Sequence, residues 1–127
     1  FASVCMSMAN GSLVGVKFRN EASVCKYVVP KGYGSNPAND ATLIVNDSYR
    51  EHSDLYYAAV NVNDSGDITT TSSRAAAIVS TGHDIGTAES RCESGLSYIS
   101  GNNIFVRHDI AKPHLIDKRI QNMESIR

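Results

Sequence analysis

The side chains best equipped for chemistry in this 127-residue chain are four histidines and three cysteines. His83 in "TGHDIG" and His108 in "VRHD" each precede an aspartate, an arrangement that suggests a carboxylate orienting an imidazole. On a strand, successive side chains point to opposite faces, so Asp109 is poorly placed to orient His108. His83 and Asp84 lie between glycines, in a loop where contact is open. With Arg107 or Lys112 as the cation, His83 and His108 would form a metal-free hydrolase or ribonuclease. One imidazole would take the proton of a ribose 2′-hydroxyl and the other would protonate the leaving oxygen. Nothing in the spacing demands this pairing, so it stands as the alternative reading.

The cysteines read as structural. Cys5 lies in "ASVCMSM", where no cationic neighbour or helix start lowers a thiol pKa, so it is not read as a nucleophile. If Asn10-Gly11 turns one hairpin and Asn20-Glu21 the next, Cys5 and Cys25 both fall opposite Val16. They are then about 9.6 Å apart, beyond the roughly 6.8 Å that a disulfide spans. The expected bridge is therefore Cys25 to Cys92, ahead of Cys5 to Cys92 and Cys5 to Cys25.

Other constellations are weaker. "NVNDSGD" looks like a calcium loop, but Asn61 replaces the first aspartate and Ser72 the twelfth-position glutamate. No close-spaced Cys-His zinc motif, phosphate-binding loop or dinucleotide fingerprint occurs, so neither metal nor cofactor is expected. Tyrosines on Gly/Ser/Asn-rich loops supply contact area at low entropic cost. Lys31 and Tyr33 in "PKGYGSNPAND", with Tyr56 and Tyr57 in "SDLYY", are accordingly the candidate binding surface.

These residues must be positioned by elements that the patterning suggests. Val4, Met6 and Met8 alternate with polar residues, "SLVGVKF" follows the Asn10-Gly11 turn, and "SVCKYVV" is rich in β-formers. Together they predict an N-terminal three-stranded meander. Residues 30–40 read as a surface loop. Strands are expected at "ATLIV", "LYYAAVNV" and "DITTT". Helices are expected in "SSRAAAIVSTG", capped by Ser72 or Ser73 and stopped by Gly82, and in "TAESRCESG", capped by Thr87 and stopped by Gly95. A second hairpin turns at 101–103. Pro113 opens an amphipathic C-terminal helix with Ile116, Ile120, Met123 and Ile126 along one stripe. The fold class is α+β: an antiparallel sheet covered by two short helices and the C-terminal helix, in one compact domain, 1–127.

Composition narrows the function. Apolar residues make up 42%, charged residues 20%, and the formal net charge is -1. That balance argues against general nucleic-acid binding, and no apolar run approaches the ~20 residues of a membrane span. A chain that starts at Phe1 is expected to be a processed product or an excised fragment. With the disulfide and the sequons at Asn10, Asn46 and Asn63, the leading reading is a secreted or surface-displayed binding domain. An adhesin, toxin-like virulence effector, inhibitor or virion component that recognises a protein or glycan would fit. A third reading is a structural subunit that oligomerises through the first hairpin.

Overall fold

A computed structural model describes residues 1–126. The architecture is α+β, with two antiparallel four-stranded sheets and three α-helices. The elements in chain order are α1 (Ala2–Ala9), β1 (Ala22–Pro30), β2 (Thr42–Val45), β3 (Asp54–Tyr57), β4 (Val60–Val62), β5 (Ile68–Thr70), β6 (Ala76–Gly82), α2 (Ile85–Leu96), β7 (Ile99–Ser100), β8 (Ile104–Val106) and α3 (Pro113–Ile126). The first sheet has the order β3-β6-β1-β8 and the second β4-β5-β2-β7.

The first sheet is built on β1, whose residues alternate between its two faces. Val24, Lys26 and Val28 are buried while Ser23, Cys25 and Tyr27 are exposed. α2 covers the inner face with Ala88, Glu89, Cys92 and Leu96, spaced to fall on one side of a helix. Asp84 caps that helix by accepting the Thr87 N–H at 2.6 Å. The core joins Val24, Val28, Ile78, Ala88, Cys92 and Leu96. Removing a fully buried aliphatic side chain such as Ile78 from it would cost about 2–5 kcal/mol.

The α+β class and the amphipathic C-terminal helix are present, but the meander is not. Residues 2–9 form α1, and Asn10-Gly11 ends that helix instead of turning a hairpin. The Asn10 N–H donates to the Met6 carbonyl, the Gly11 N–H donates to the Met8 carbonyl, and Gly11 sits at φ +63°. Alternation alone had no partner strand to satisfy it, so local helical hydrogen bonds prevailed. "SSRAAAIVSTG" likewise becomes strand β6 rather than a helix. It is the central strand between β1 and β3, and the near-total burial of Ala75, Ala76, Ala77 and Ile78 explains its continuous apolar run. The 101–103 turn exists, but its flanking strands part company. β7 pairs with β2 in one sheet and β8 with β1 in the other.

All three cysteines are free. The expected Cys25–Cys92 bridge fails because β1 points Cys25 outward, while Cys92 lies on the helix that covers the inner face. Burial pushes the Cys92 thiol up to about 11, and its Sγ–H donates to the Ile78 carbonyl. Cys5 is exposed on α1.

Candidate functional site

Two charged assemblies lie on opposite faces of the first sheet, and β1 contributes to both. On the inner face, the Lys26 side chain is 0% exposed. Its ammonium donates to Glu89 Oε1 at 2.7 Å, to Glu93 Oε1 and to the His108 carbonyl at 3.0 Å. Glu89 and Glu93 stand four residues apart on α2, so both carboxylates project toward the same strand. Lys112 also reaches Glu89 Oε1 at 2.7 Å, and His108 Nδ1 lies 2.8 Å from Glu93 Oε2. Burial opposes the Lys26 ammonium, but the hydrogen bonds to Glu89 and Glu93 outweigh it and raise its pKa. Burial likewise opposes the Glu89 carboxylate, which bonds from Lys112 and Lys26 nevertheless hold low.

This network closes on itself. Lys26 and Lys112 answer Glu89 and Glu93, and the result fastens the 107–112 turn to α2 and β1. Ala111 in that turn has φ +66°, a strained value for a residue with a side chain, and the ties on either side hold it there.

On the outer face a groove of about 560 Å³ opens between β1, β8 and the loop after β1. Tyr27, Lys31, Tyr33, Arg74, Phe105 and Arg107 line it. The Arg74 guanidinium lies 4.8 Å from the centre of the Tyr27 ring. Arg107 is held by Asp109 through bonds of 2.7 and 2.6 Å, which lower the Asp109 carboxyl to about 2. The loop that carries Lys31 and Tyr33 is tightly hydrogen-bonded. The Lys31 N–H donates to the Asn103 carbonyl at 2.8 Å, and the Lys31 carbonyl accepts from the Ala38 N–H at 2.9 Å. Gly32 sits at φ +75°, where a Cβ would meet the Asn36 carbonyl oxygen at 2.1 Å.

The structure therefore brings Lys31 and Tyr33 together. Tyr56 shares a row with Ala77 and Tyr27 across β3, β6 and β1, so it lies on the same face but two strands away. Tyr57 points to the other face and contributes to a separate cleft with β2 and β5. His83 and His108 do not converge. His83 Nε2 pairs with Asp84 at 2.9 Å at the start of α2, while His108 meets Glu93 nine residues further along it, a rise of about 13 Å. Sequence reasoning missed Arg74, placed in a supposed helix, and Lys26, whose position in a strand gave no hint of its buried partners. The signal for Arg74 was its position just before an apolar run that reads equally well as a central strand.

Among the described residues, no group of three or more His, Cys, Asp or Glu side chains is arranged to hold a metal ion, and no helix is long and apolar enough to cross a membrane.

Residues 23–113 match the family described as "Phosphoribosylglycinamide synthetase, C domain". The chain belongs to this family. It is 45% identical over 129 residues to the phosphoribosylamine–glycine ligase of Methanocella arvoryzae, covering 100% of this chain and 29% of that protein. Identity to the Methanocaldococcus jannaschii ligase is 40% over 131 residues, with the same coverage of each chain. The chain thus spans under a third of these relatives. Its fold also matches a crystal structure of the Thermotoga maritima ligase, with a TM-score of 0.69 at 18% identity, covering 86% of this chain and 27% of the other.

Membership in this family overturns the expectation of a secreted or surface-displayed binding domain, along with its adhesin, toxin-like, inhibitor and virion variants and its extracellular location. The same finding displaces the histidine-dependent hydrolase or ribonuclease. Oligomerisation through a first hairpin fails as well, since that hairpin does not form. The disulfide expected of a secreted chain does not form, and Asn- and Ser-rich segments produce sequons by chance.

Proposed function

We propose that this chain forms the C-domain part of a phosphoribosylamine–glycine ligase, joining phosphoribosylamine to glycine. The observation that carries this reading is 45% identity to the Methanocella arvoryzae ligase along the whole chain. The site chemistry is compatible with such a part. His83 and His108, which meet α2 at points far apart, and a buried, protonated Cys92 offer no local nucleophile and base, whereas the outer groove offers cations and aromatic surface for holding a substrate. In this reading the chain binds and orients, and the bond-making groups come from the remainder of the ligase.

The test is a chimera in which residues 1–127 replace the matching segment of the Methanocella arvoryzae ligase. Amide formation from phosphoribosylamine and glycine is expected within about tenfold of the parent, an activation difference of about 1.4 kcal/mol. A folded chimera that forms no product would defeat the proposal.

A further inference from the structure

We propose that Glu93 and His108 are positioning residues: the ion pair between them holds the 107–112 turn in the conformation that stands Arg107 and Ile110 as a wall between two grooves. The inference rests on the ligase reading for the substrate that this wall serves. The hold on the turn follows from geometry alone.

The turn is a place that needs holding. β8 ends at Val106, so Arg107 is the first residue beyond the strand pairing. Bonds inside the turn are long: the Ile110 N–H donates to the Arg107 carbonyl at 3.4 Å, and the Lys112 N–H to the Asp109 carbonyl at 3.2 Å. Ala111 adds a left-handed φ of +66°, which a Cβ disfavours. Three ties from outside offset this. The Lys26 ammonium donates to the His108 carbonyl, Lys112 reaches Glu89, and His108 Nδ1 lies 2.8 Å from Glu93 Oε2. A carboxylate only accepts, so Nδ1 carries the proton in that last bond.

The His108–Glu93 tie differs from the other two. The Lys26 and Glu89 side chains are 0% and 9% exposed, so burial already demands their pairing. Those of His108 and Glu93 are 62% and 28% exposed, and a pair open to water adds little to stability. What it fixes is the residue next to Arg107. Asp109 grips the Arg107 guanidinium with two bonds inside the same turn, so that side chain moves with the turn and not independently. Arg107 and Ile110 line both the outer groove and a second one of about 470 Å³, which Ser23, Cys25, Leu115 and Arg119 also line. A shift of the turn would therefore reshape both grooves at once, and a displacement of about 1 Å is enough to impair a substrate-holding group.

The experiment compares three variants. His108→Ala removes the tie, His108→Asn keeps a donor near the place of Nδ1, and His83→Ala removes another exposed imidazole–carboxylate pair at the start of the same helix. In the 127-residue chain, amide exchange at Ile110 and Lys112 should accelerate at least fivefold in His108→Ala, while β1 and α2 stay protected and the circular dichroism is unchanged. His108→Asn should restore most of the protection, and His83→Ala should leave the turn as it is. In the chimeric ligase, His108→Ala should raise KM for phosphoribosylamine about fivefold and keep kcat within about twofold. A residue needed only for folding would instead lower the active fraction, and with it kcat, at constant KM. With Glu93→Ala already in place, His108→Ala should add less than about twofold, because the partner is gone. Unchanged exchange at Ile110 and Lys112, or an active chimera whose KM ignores His108→Ala, would overturn the proposal. An inactive chimera beside a loosened turn defeats the ligase reading alone, and the exchange data then support the hold on the turn by themselves.

Discussion

Lys26 and Tyr27 are adjacent in β1, yet they belong to opposite kinds of site. Lys26 turns inward to a place where every charge has an opposite within bonding distance. Tyr27 turns outward to a groove where Arg74 and Lys31 lie beside aromatic rings, with no carboxylate among the described residues in salt-bridge reach of either. A buried charge survives only when paired and hydrogen-bonded, so the inner network is explained by the fold itself. Exposed cations gathered on one concave surface gain little from folding, which makes the outer set the better candidate for binding.

The comparison breaks most visibly at Lys26. Lys26→Met keeps the apolar stem but leaves Glu89 with Lys112 alone and Glu93 with His108 alone, so the expected loss is about 2–3 kcal/mol of stability, below the full penalty for an unpaired buried charge. Urea unfolding of the variant measures it. A loss below about 1 kcal/mol would show that water already screens the network.

Next in size is Gly32→Ala. The left-handed backbone at Gly32 and the clash with the Asn36 carbonyl should cost about 1–3 kcal/mol, concentrated in the loop. Amide exchange at Ala38 and Lys31 should accelerate while β6 stays protected. Global loss of protection would mean that this loop is coupled to the inner core, which would blur the distinction between the two faces.

Acid acts on the inner face. Glu89 and Glu93 are held below their ordinary value of 4.5, against the pull of burial, by bonds from Lys26 and from Lys112 or His108 respectively. Their contribution is complete above pH 4.5 and drains away as the pH falls through the depressed native values. Lys26 is held above 10.5, so its contribution is complete below that pH and is lost as the pH rises through the raised native value. Stability should plateau between these limits. Lys26→Met should flatten the acid limb, and an unchanged limb would place the acid sensitivity elsewhere.

Arg74→Ala should be gentler on stability, at less than about 1 kcal/mol, because only its stacking on Tyr27 is lost. Thermal unfolding checks this. A larger loss would mean that Arg74 is a structural residue.

What the amino-acid pattern disclosed follows the same division. β1 was legible because β-branched and aromatic residues fill "SVCKYVV", and α3 because its apolar residues recur at helical spacing. Lys31 and Tyr33 stood out because glycines and prolines mark a loop around them. Lys26 was invisible, since its partners Glu89 and Glu93 lie 63 and 67 residues away and only the packing of α2 reveals them. β6 was misread because three alanines favour a helix locally, whereas here small side chains admit close packing in a central strand. The alternation of Val4, Met6 and Met8 misled for the opposite reason: period-two patterning specifies a strand only when a neighbouring strand is there to pair with it.

That last case yields the smallest effect. α1 buries none of its residues and has no side-chain cap, whereas α2 is capped by Asp84 and buries Cys92 completely. Helices this short are marginal in water without tertiary packing, so α1 adds little to the stability of the chain described here. Deleting residues 1–20 should therefore change unfolding stability by less than about 0.5 kcal/mol. It should also remove a readily alkylated thiol, Cys5, while Cys25 stays reactive and Cys92, buried and held at about 11, reacts only on unfolding. A loss above about 2 kcal/mol would show that α1 supports the first sheet through contacts of its own, and Cys92 would then become accessible in the deleted chain.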